Sequence, residues 1–315
     1  MRRIYDQSMC LQAQMLHAIA TVHGEGAHKK KITGKGIGVA ILDTGITPHP
    51  DFDNRILGFC DFLKNRSIPY DDNGHGTHVA GIIGGSGAAS EGKIVGMAPG
   101  CNLISLKVLD RKGNGSLSNV LSGLNWIIKN KDRYGIRIVN ISVGALAKKG
   151  MGEDSILVRS VEEVWDQGLV VVVAAGNLGP GQSTITTPGI SRKVITVGCS
   201  DDAKMVEVFG TKMVHYSGRG PTRDCCIVKP EIVAPGSNII SCNGLYQKTH
   251  NYYAVKSGTS MSTPIVSGAI ALLLEKQPWL TNAEVKLKLR ESCDDLGFAK
   301  CHQGWGQLNV KKLLS

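Results

Sequence analysis

The chain has 315 residues, of which 42% are hydrophobic and 20% charged, and its formal net charge is +10. Its longest apolar run, Leu169 to Ala175, is far shorter than the ~20 residues of a membrane-spanning helix, so we expect no membrane partner. Aromatic residues make up only 5% and no nucleic-acid-binding motif accompanies the basic charge, so we expect a solvated basic surface and no nucleic-acid partner.

Residues 1–31 precede the main pattern, and their apolar spacing predicts a short, helical N-terminal segment. Two interpretations stay open. The segment packs as a helix on the rest of the protein, or part of it folds over the functional cleft and restrains activity. No linker interrupts the remaining chain, so residues 32–315 are expected to form one domain.

Beyond the N-terminal segment, runs rich in Val, Ile and Leu alternate with segments of helical periodicity. Such runs are typical of strands buried on both faces of a parallel sheet, and the alternation predicts right-handed β-α-β crossovers. The predicted fold is α/β, a doubly wound, mostly parallel sheet with helices on both faces. In chain order, the predicted strands are Ile37–Leu42, Leu103–Leu109, Ile136–Val143, Leu169–Ala175 and Val194–Cys199, and the predicted helices are Gly76–Gly84, Leu117–Lys131, Asp154–Gln167, Ser260–Lys276 and Thr281–Ser292.

Three motifs of small residues each contain one residue of a hydrolytic triad. Asp43 lies in Asp-Thr-Gly, His75 in Asn-Gly-His-Gly-Thr-His, and Ser260 in Ser-Gly-Thr-Ser-Met-Ser-Thr-Pro. Serine needs a base to attack a peptide carbonyl and the leaving nitrogen needs a proton, and a histidine held by a carboxylate supplies both. Asn177 follows a predicted strand, and its side chain could donate to the oxyanion together with the Ser260 N–H.

These motifs resemble the subtilisin-like serine proteases, the subtilases, and the similarity is greatest to intracellular bacterial members. The resemblance covers roughly Lys31 to Leu314 and implies that Asp43, His75 and Ser260 form the triad with Asn177 as the oxyanion residue. It also implies that a protein or peptide substrate binds as an extended strand. The substrate-binding residues implied in this way are Gly113, Asn114, Gly115, Ser142, Val143, Gly144 and Thr186.

Many subtilases bind calcium through an Asp near the triad Asp and a loop after the His helix. Asp51 could match that Asp, but loop 85–93 lacks the usual Asn, so we expect no metal and no cofactor. His75 and His78 could also be read as metal ligands on one helix face, but no third ligand is apparent. Nine scattered cysteines without a C-x-x-C pair predict a reducing, cytoplasmic location.

The leading function is a serine endopeptidase acting through an acyl-enzyme. Two alternatives stay open: a processing protease or peptide ligase dedicated to one partner, and a peptide-binding module without turnover. Retention of all four catalytic residue types argues against the binding module, which needs none of them.

Overall fold

The computed structural model describes residues 18–142, 152 and 154–315. The strands are β1 (Gly38–Asp43), β2 (Ile56–Asp61), β3 (Asn102–Lys107), β4 (Ile136–Ile141), β5 (Val170–Ala174), β6 (Ile195–Cys199), β7 (Val206–Val208), β8 (Thr211–Met213), β9 (Ile232–Ala234), β10 (Ile239–Cys242) and β11 (Tyr253–Lys256). Seven of them form a central sheet with the order β2-β3-β1-β4-β5-β6-β9, in which every neighbouring pair is parallel. Two antiparallel pairs, β10-β11 and β7-β8, lie outside this sheet.

Helices cover both faces of the sheet, which explains why β1, β5 and β6 are buried along their whole length. Apolar side chains of helices His75–Gly84 and Thr259–Lys276 fill one layer of core, and those of helices Leu117–Tyr134 and Ile156–Asp166 fill the other. Besides residues 18–21, the α-helices are α1 (Glu25–Lys29), α2 (His75–Gly84), α3 (Leu117–Tyr134), α4 (Ile156–Asp166), α5 (Tyr246–Thr249), α6 (Thr259–Lys276), α7 (Asn282–Ser292), α8 (Lys300–Gln303) and α9 (Val310–Leu313). The predicted parallel α/β fold is confirmed, and no helix within these described ranges has the length and apolar character to cross a bilayer.

The described part of the N-terminal segment packs on the main core. Ala18, Ile19 and Val22 are buried in the same apolar cluster as the central helix α6. The Val22 carbonyl accepts a hydrogen bond from the Val310 N–H, which ties this end of the chain to α9. The predicted segment therefore contributes to the core from residue 18 onward, and residues 1–17 lie outside the described ranges.

The central helix α6 places its first residues at the carboxyl edge of the sheet. It is buried from Thr259 to Leu274 because its sequence is nearly apolar on every face. Asp43 ends β1 at the same edge, and Asn177 follows β5 three residues after Ala174. In open α/β sheets this edge is where ligands bind, so the topology brings the predicted site residues together.

Candidate active site

Asp43 and His75 form a buried pair. His75 is the first residue of α2, and its Nδ1 lies 2.8 and 3.0 Å from the two carboxylate oxygens of Asp43. Because a carboxylate only accepts, Nδ1 carries the hydrogen and the neutral ring keeps its lone pair on Nε2. Nε2 has no hydrogen-bond partner among the described residues.

Ser260 lies in the first turn of α6 and is almost fully buried. Its Oγ donates to the Ser142 carbonyl at 2.7 Å. Ser260, Ser142 and His75 line one cavity of about 670 Å³ at the carboxyl edge of the sheet. The Ser260 backbone N–H belongs to the first turn of a helix, where amides have no intrahelical acceptor and attract negative charge.

The orientation of the Asn177 amide follows from its contacts with Thr259. Its Oδ1 accepts from the Thr259 N–H at 2.9 Å and from Thr259 Oγ1 at 3.1 Å. Because a backbone N–H can only donate, the oxygen must face Thr259 and Nδ2 is directed elsewhere. Gly258 has a φ of +140°, and a Cβ there would lie 3.2 Å from Nδ2. Glycine therefore leaves space around the amide donor and adopts a backbone conformation that other residues avoid.

A single carboxylate, that of Asp71, ties the Asp43 segment to the His75 helix. Asp71 Oδ1 accepts from Thr44 Oγ1 at 2.8 Å, from the Gly74 N–H at 2.8 Å and from the Asn73 N–H at 3.1 Å. Its Oδ2 accepts from the N–H and hydroxyl of Thr77 at 2.9 and 2.7 Å. Five hydrogen bonds to one buried carboxylate fix the residues on either side of His75. Asp71 was not predicted as a site residue, because its only signal in the sequence is an acid four residues before the histidine.

Thr44 and Lys107 extend this polar network under Asp43. Thr44 Oγ1 accepts from the Gly76 N–H at 2.9 Å, which joins the residue after Asp43 to the residue after His75. Lys107 is 1% exposed. Its Nζ donates to the backbone carbonyls of Thr44 and Leu109 and pairs with Asp72 at 2.7 Å. A buried ammonium with these acceptors holds the loop after Asp43 against β3.

The substrate-binding residues predicted from the sequence occupy different positions. Gly113, Ser142 and Thr186 line the 670 Å³ cavity. Asn114 and Gly115 continue the loop after Gly113 and are not among the residues that line it. The remaining two predicted residues, Val143 and Gly144, lie outside the described ranges.

Fold and site together define a class of protein: a parallel α/β protein with an aspartate, a histidine and a serine grouped at the carboxyl edge of its sheet. A family model described as the Subtilase family matches residues 34–307, and the chain belongs to that family. The predicted family resemblance is therefore confirmed.

Individual relatives agree with this assignment. The chain is 45% identical over 294 residues to Serine protease AprX of Bacillus subtilis (strain 168), a match that covers 86% of this chain and 65% of AprX. It is 34% identical to Subtilisin Savinase of Lederbergia lenta, covering 93% of this chain and 96% of that protein. Among solved structures, Sphericase superposes with a TM-score of 0.72 at 31% identity, covering 88% of this chain and 92% of that one.

Subtilase membership raises the question of a calcium ion at Asp51, and the contacts of this carboxylate do not fit one. Asp51 is fully buried, its Oδ1 accepts from the Ala89 N–H at 2.8 Å, and its Oδ2 accepts from the Tyr253 hydroxyl at 2.9 Å. His49 and Cys242 lie close enough to form a trio with it. However, His49 Nδ1 already accepts the Asp51 N–H, and a hard cation needs six or more oxygens. Each Asp51 carboxylate oxygen already accepts a hydrogen bond from the protein.

Proposed function

We propose that this chain is a serine endopeptidase that cleaves protein or peptide substrates with Asp43, His75 and Ser260 as its triad. The observation that supports this most strongly is the buried Asp43–His75 pair, whose Nε2 has no partner among the described residues and faces a cavity that Ser260 also lines. Subtilase membership and the protease names of the relatives support the same function.

Formation of the acyl-enzyme begins with a rotation of the Ser260 side chain. Its Oγ leaves the Ser142 carbonyl and donates to His75 Nε2. The oxygen then attacks the scissile carbonyl while Nε2 takes its proton, and the imidazolium is stabilised by Asp43. His75 returns the proton to the leaving nitrogen, which releases the amine and leaves an ester on Ser260. Water repeats the sequence with His75 as base and frees the acid.

Two hydrogen-bond donors would stabilise the negative charge on the oxygen of the tetrahedral intermediate. Asn177 Nδ2 is one, because Thr259 holds the amide by its oxygen. The Ser260 N–H is the other, at the amino end of α6. Both are oriented before substrate arrives, so little reorganisation is needed when charge develops.

We further propose that the enzyme works without a metal and in a reducing cytoplasm. The contacts of Asp51 support the first point. The free buried thiols of Cys101, Cys199 and Cys242 support the second, since a secreted protein of this kind has no need to keep them. Cell fractionation with an antibody would test the location, and recovery of the protein from the medium would contradict it.

The test of catalysis compares Ser260→Ala with Ser262→Ala. Ser260→Ala should abolish labelling by a fluorophosphonate and lower kcat on a peptide by at least ~10³-fold. Ser262 lies in the same helix, its buried Oγ has no partner in the described part of the chain, and its alanine variant should keep full activity. A Ser260→Ala protein that retains more than about one hundredth of wild-type kcat would refute the assignment. Cleavage of a random peptide mixture would separate a broad protease from a dedicated one.

A further inference from the structure

A strained turn lies beside the site. Strands β7 and β8 pair with Val208 opposite Thr211, so Phe209 and Gly210 form a two-residue hairpin turn. Both have positive φ, +49° and +81°. This combination matches a type I′ turn, whose usual sequence is Asn-Gly. A bulky aromatic residue is an outlier in this region and persists only where something else maintains it.

Packing does not account for the phenylalanine. The strands of the hairpin are anchored by Val206 and Val208, which are buried against Tyr216. Phe209 itself is 78% exposed. Its ring instead stacks on His75, with ring centroids 6.1 Å apart and an angle of 30° between the planes. The strained residue therefore contacts the proposed general base and little of the core.

Phe209 and His75 both line two cavities. The 670 Å³ cavity contains Asn177 and Ser260, where the acyl half of a substrate would be held. A second cavity of about 320 Å³ is lined by His75 and Phe209 but by neither Asn177 nor Ser260. In the proposed reaction His75 protonates the leaving nitrogen. The smaller cavity is lined by His75 but not by the oxyanion donor Asn177, so we assign it to the leaving-group side.

We propose that Phe209 is a specificity determinant that binds the side chain following the scissile bond, and that it favours an apolar side chain there. This inference rests on the proposed peptidase function. Phe209, Val255 and Met261 supply the apolar surface of the smaller cavity. Glu207 and Lys256 line it as well, and their opposite charges favour neither an acidic nor a basic residue.

The test uses substrates that share one acyl half. Two peptides carry leucine or glycine after the scissile bond, and a methyl ester carries no residue there. Wild type should prefer the leucine peptide in kcat/KM by about tenfold, the size of one good apolar contact. Phe209→Ala should reduce this preference to less than about twofold, and it should lower kcat/KM on the leucine peptide several-fold more than on the ester.

Two further variants separate recognition from folding. Met205 is also exposed, immediately precedes β7 and lines neither cavity, so Met205→Ala should keep the leucine preference. Phe209→Asn creates the favoured Asn-Gly turn, so its melting temperature should equal or exceed that of wild type while the preference is lost.

The proposal is overturned if Phe209→Ala retains the leucine preference, or if ester and leucine peptide lose activity equally. A melting temperature of Phe209→Asn well below that of wild type would assign the ring a structural role instead. Failure of the proposed function has a different signature: wild type would cleave neither ester nor peptide and would not react with a fluorophosphonate.

Discussion

Acidification should destabilise this protein through His78, which lies one turn after His75 in α2. His78 is fully buried, and its Nε2 donates to the carbonyls of Ile239 and Ala254 at 3.1 and 3.0 Å. Its Nδ1 has no partner within the described ranges. A second proton would therefore be placed on a buried nitrogen without an acceptor. Burial, with smaller effects from Lys256 and His75, lowers the pKa of His78 to about 3.

The sign and size of the effect follow from this shift. In the unfolded chain a histidine has a pKa of about 6.5, so between roughly pH 3 and 6.5 the unfolded state binds more protons. The stability is fully present above pH 6.5 and is lost as the pH falls below it. From pH 7 to pH 5 the free energy of unfolding should fall by about 2 kcal/mol through His78 alone, and any folded pKa below about 4 gives nearly the same value.

The assay is urea unfolding at pH 7, 6 and 5 in a Ser260→Ala background, which prevents self-digestion. His78→Gln should be less stable at pH 7, because a buried side chain is replaced. Between pH 7 and pH 5, the free energy of unfolding of His78→Gln should fall by about 2 kcal/mol less than that of its parent. The control His250→Asn, at an exposed position, should keep the parent's pH dependence. Equal pH dependence in His78→Gln and its parent would refute the reasoning.

Three further predictions concern the supports of the site. Asp71→Asn should lower the free energy of unfolding by about 2–4 kcal/mol and reduce kcat by a larger factor than it changes KM. The amide has only one oxygen, so at least two of the five hydrogen bonds are lost. An unchanged kcat in steady-state kinetics would contradict this prediction. A chelator should shift the melting temperature by less than about 2 °C, because both carboxylate oxygens of Asp51 already accept hydrogen bonds from the protein. A large drop in melting temperature that calcium reverses would reveal a bound ion. A variant beginning at His28 loses Ile19 and Val22 from the core and should melt at least ~5 °C lower; higher kcat/KM with unchanged melting would instead support an inhibitory segment.

The parallel sheet could be predicted because its central strands are runs of Val, Ile and Leu that the burial of both faces requires. Strands β1, β3, β4, β5 and β6 begin and end within three residues of the prediction. The edge strand β2 was not predicted, because Ile56–Asp61 contains a glycine and is only partly buried. The three-residue strands β7 and β8 are too short for any periodicity, and only their mutual pairing defines them.

The site also contains residues that could be predicted from the sequence and residues that could not. Asp43, His75, Asn177 and Ser260 stand in distinctive motifs, and the structure brings all four to one edge of the sheet. Residues that support the site carry no such signal, because their role depends on contacts across the fold. The effect is clearest for Phe209, whose backbone conformation contradicts the preference of its own side chain. Sequence reasoning that follows local propensity cannot place such a residue.

The polar network also explains which part of the site is fixed and which must move. Asp71 joins the Thr44 side chain to the start of α2, so Asp43 and His75 are held by contacts that do not involve substrate. Ser260 is different, because its hydroxyl donates to the Ser142 carbonyl and, in the proposed mechanism, must turn before His75 can act on it. One side-chain rotation costs little compared with rebuilding a loop. In the proposed mechanism, the general base and the oxyanion donor are therefore preorganised, and the nucleophile alone needs to change its hydrogen bond when a substrate enters the cavity.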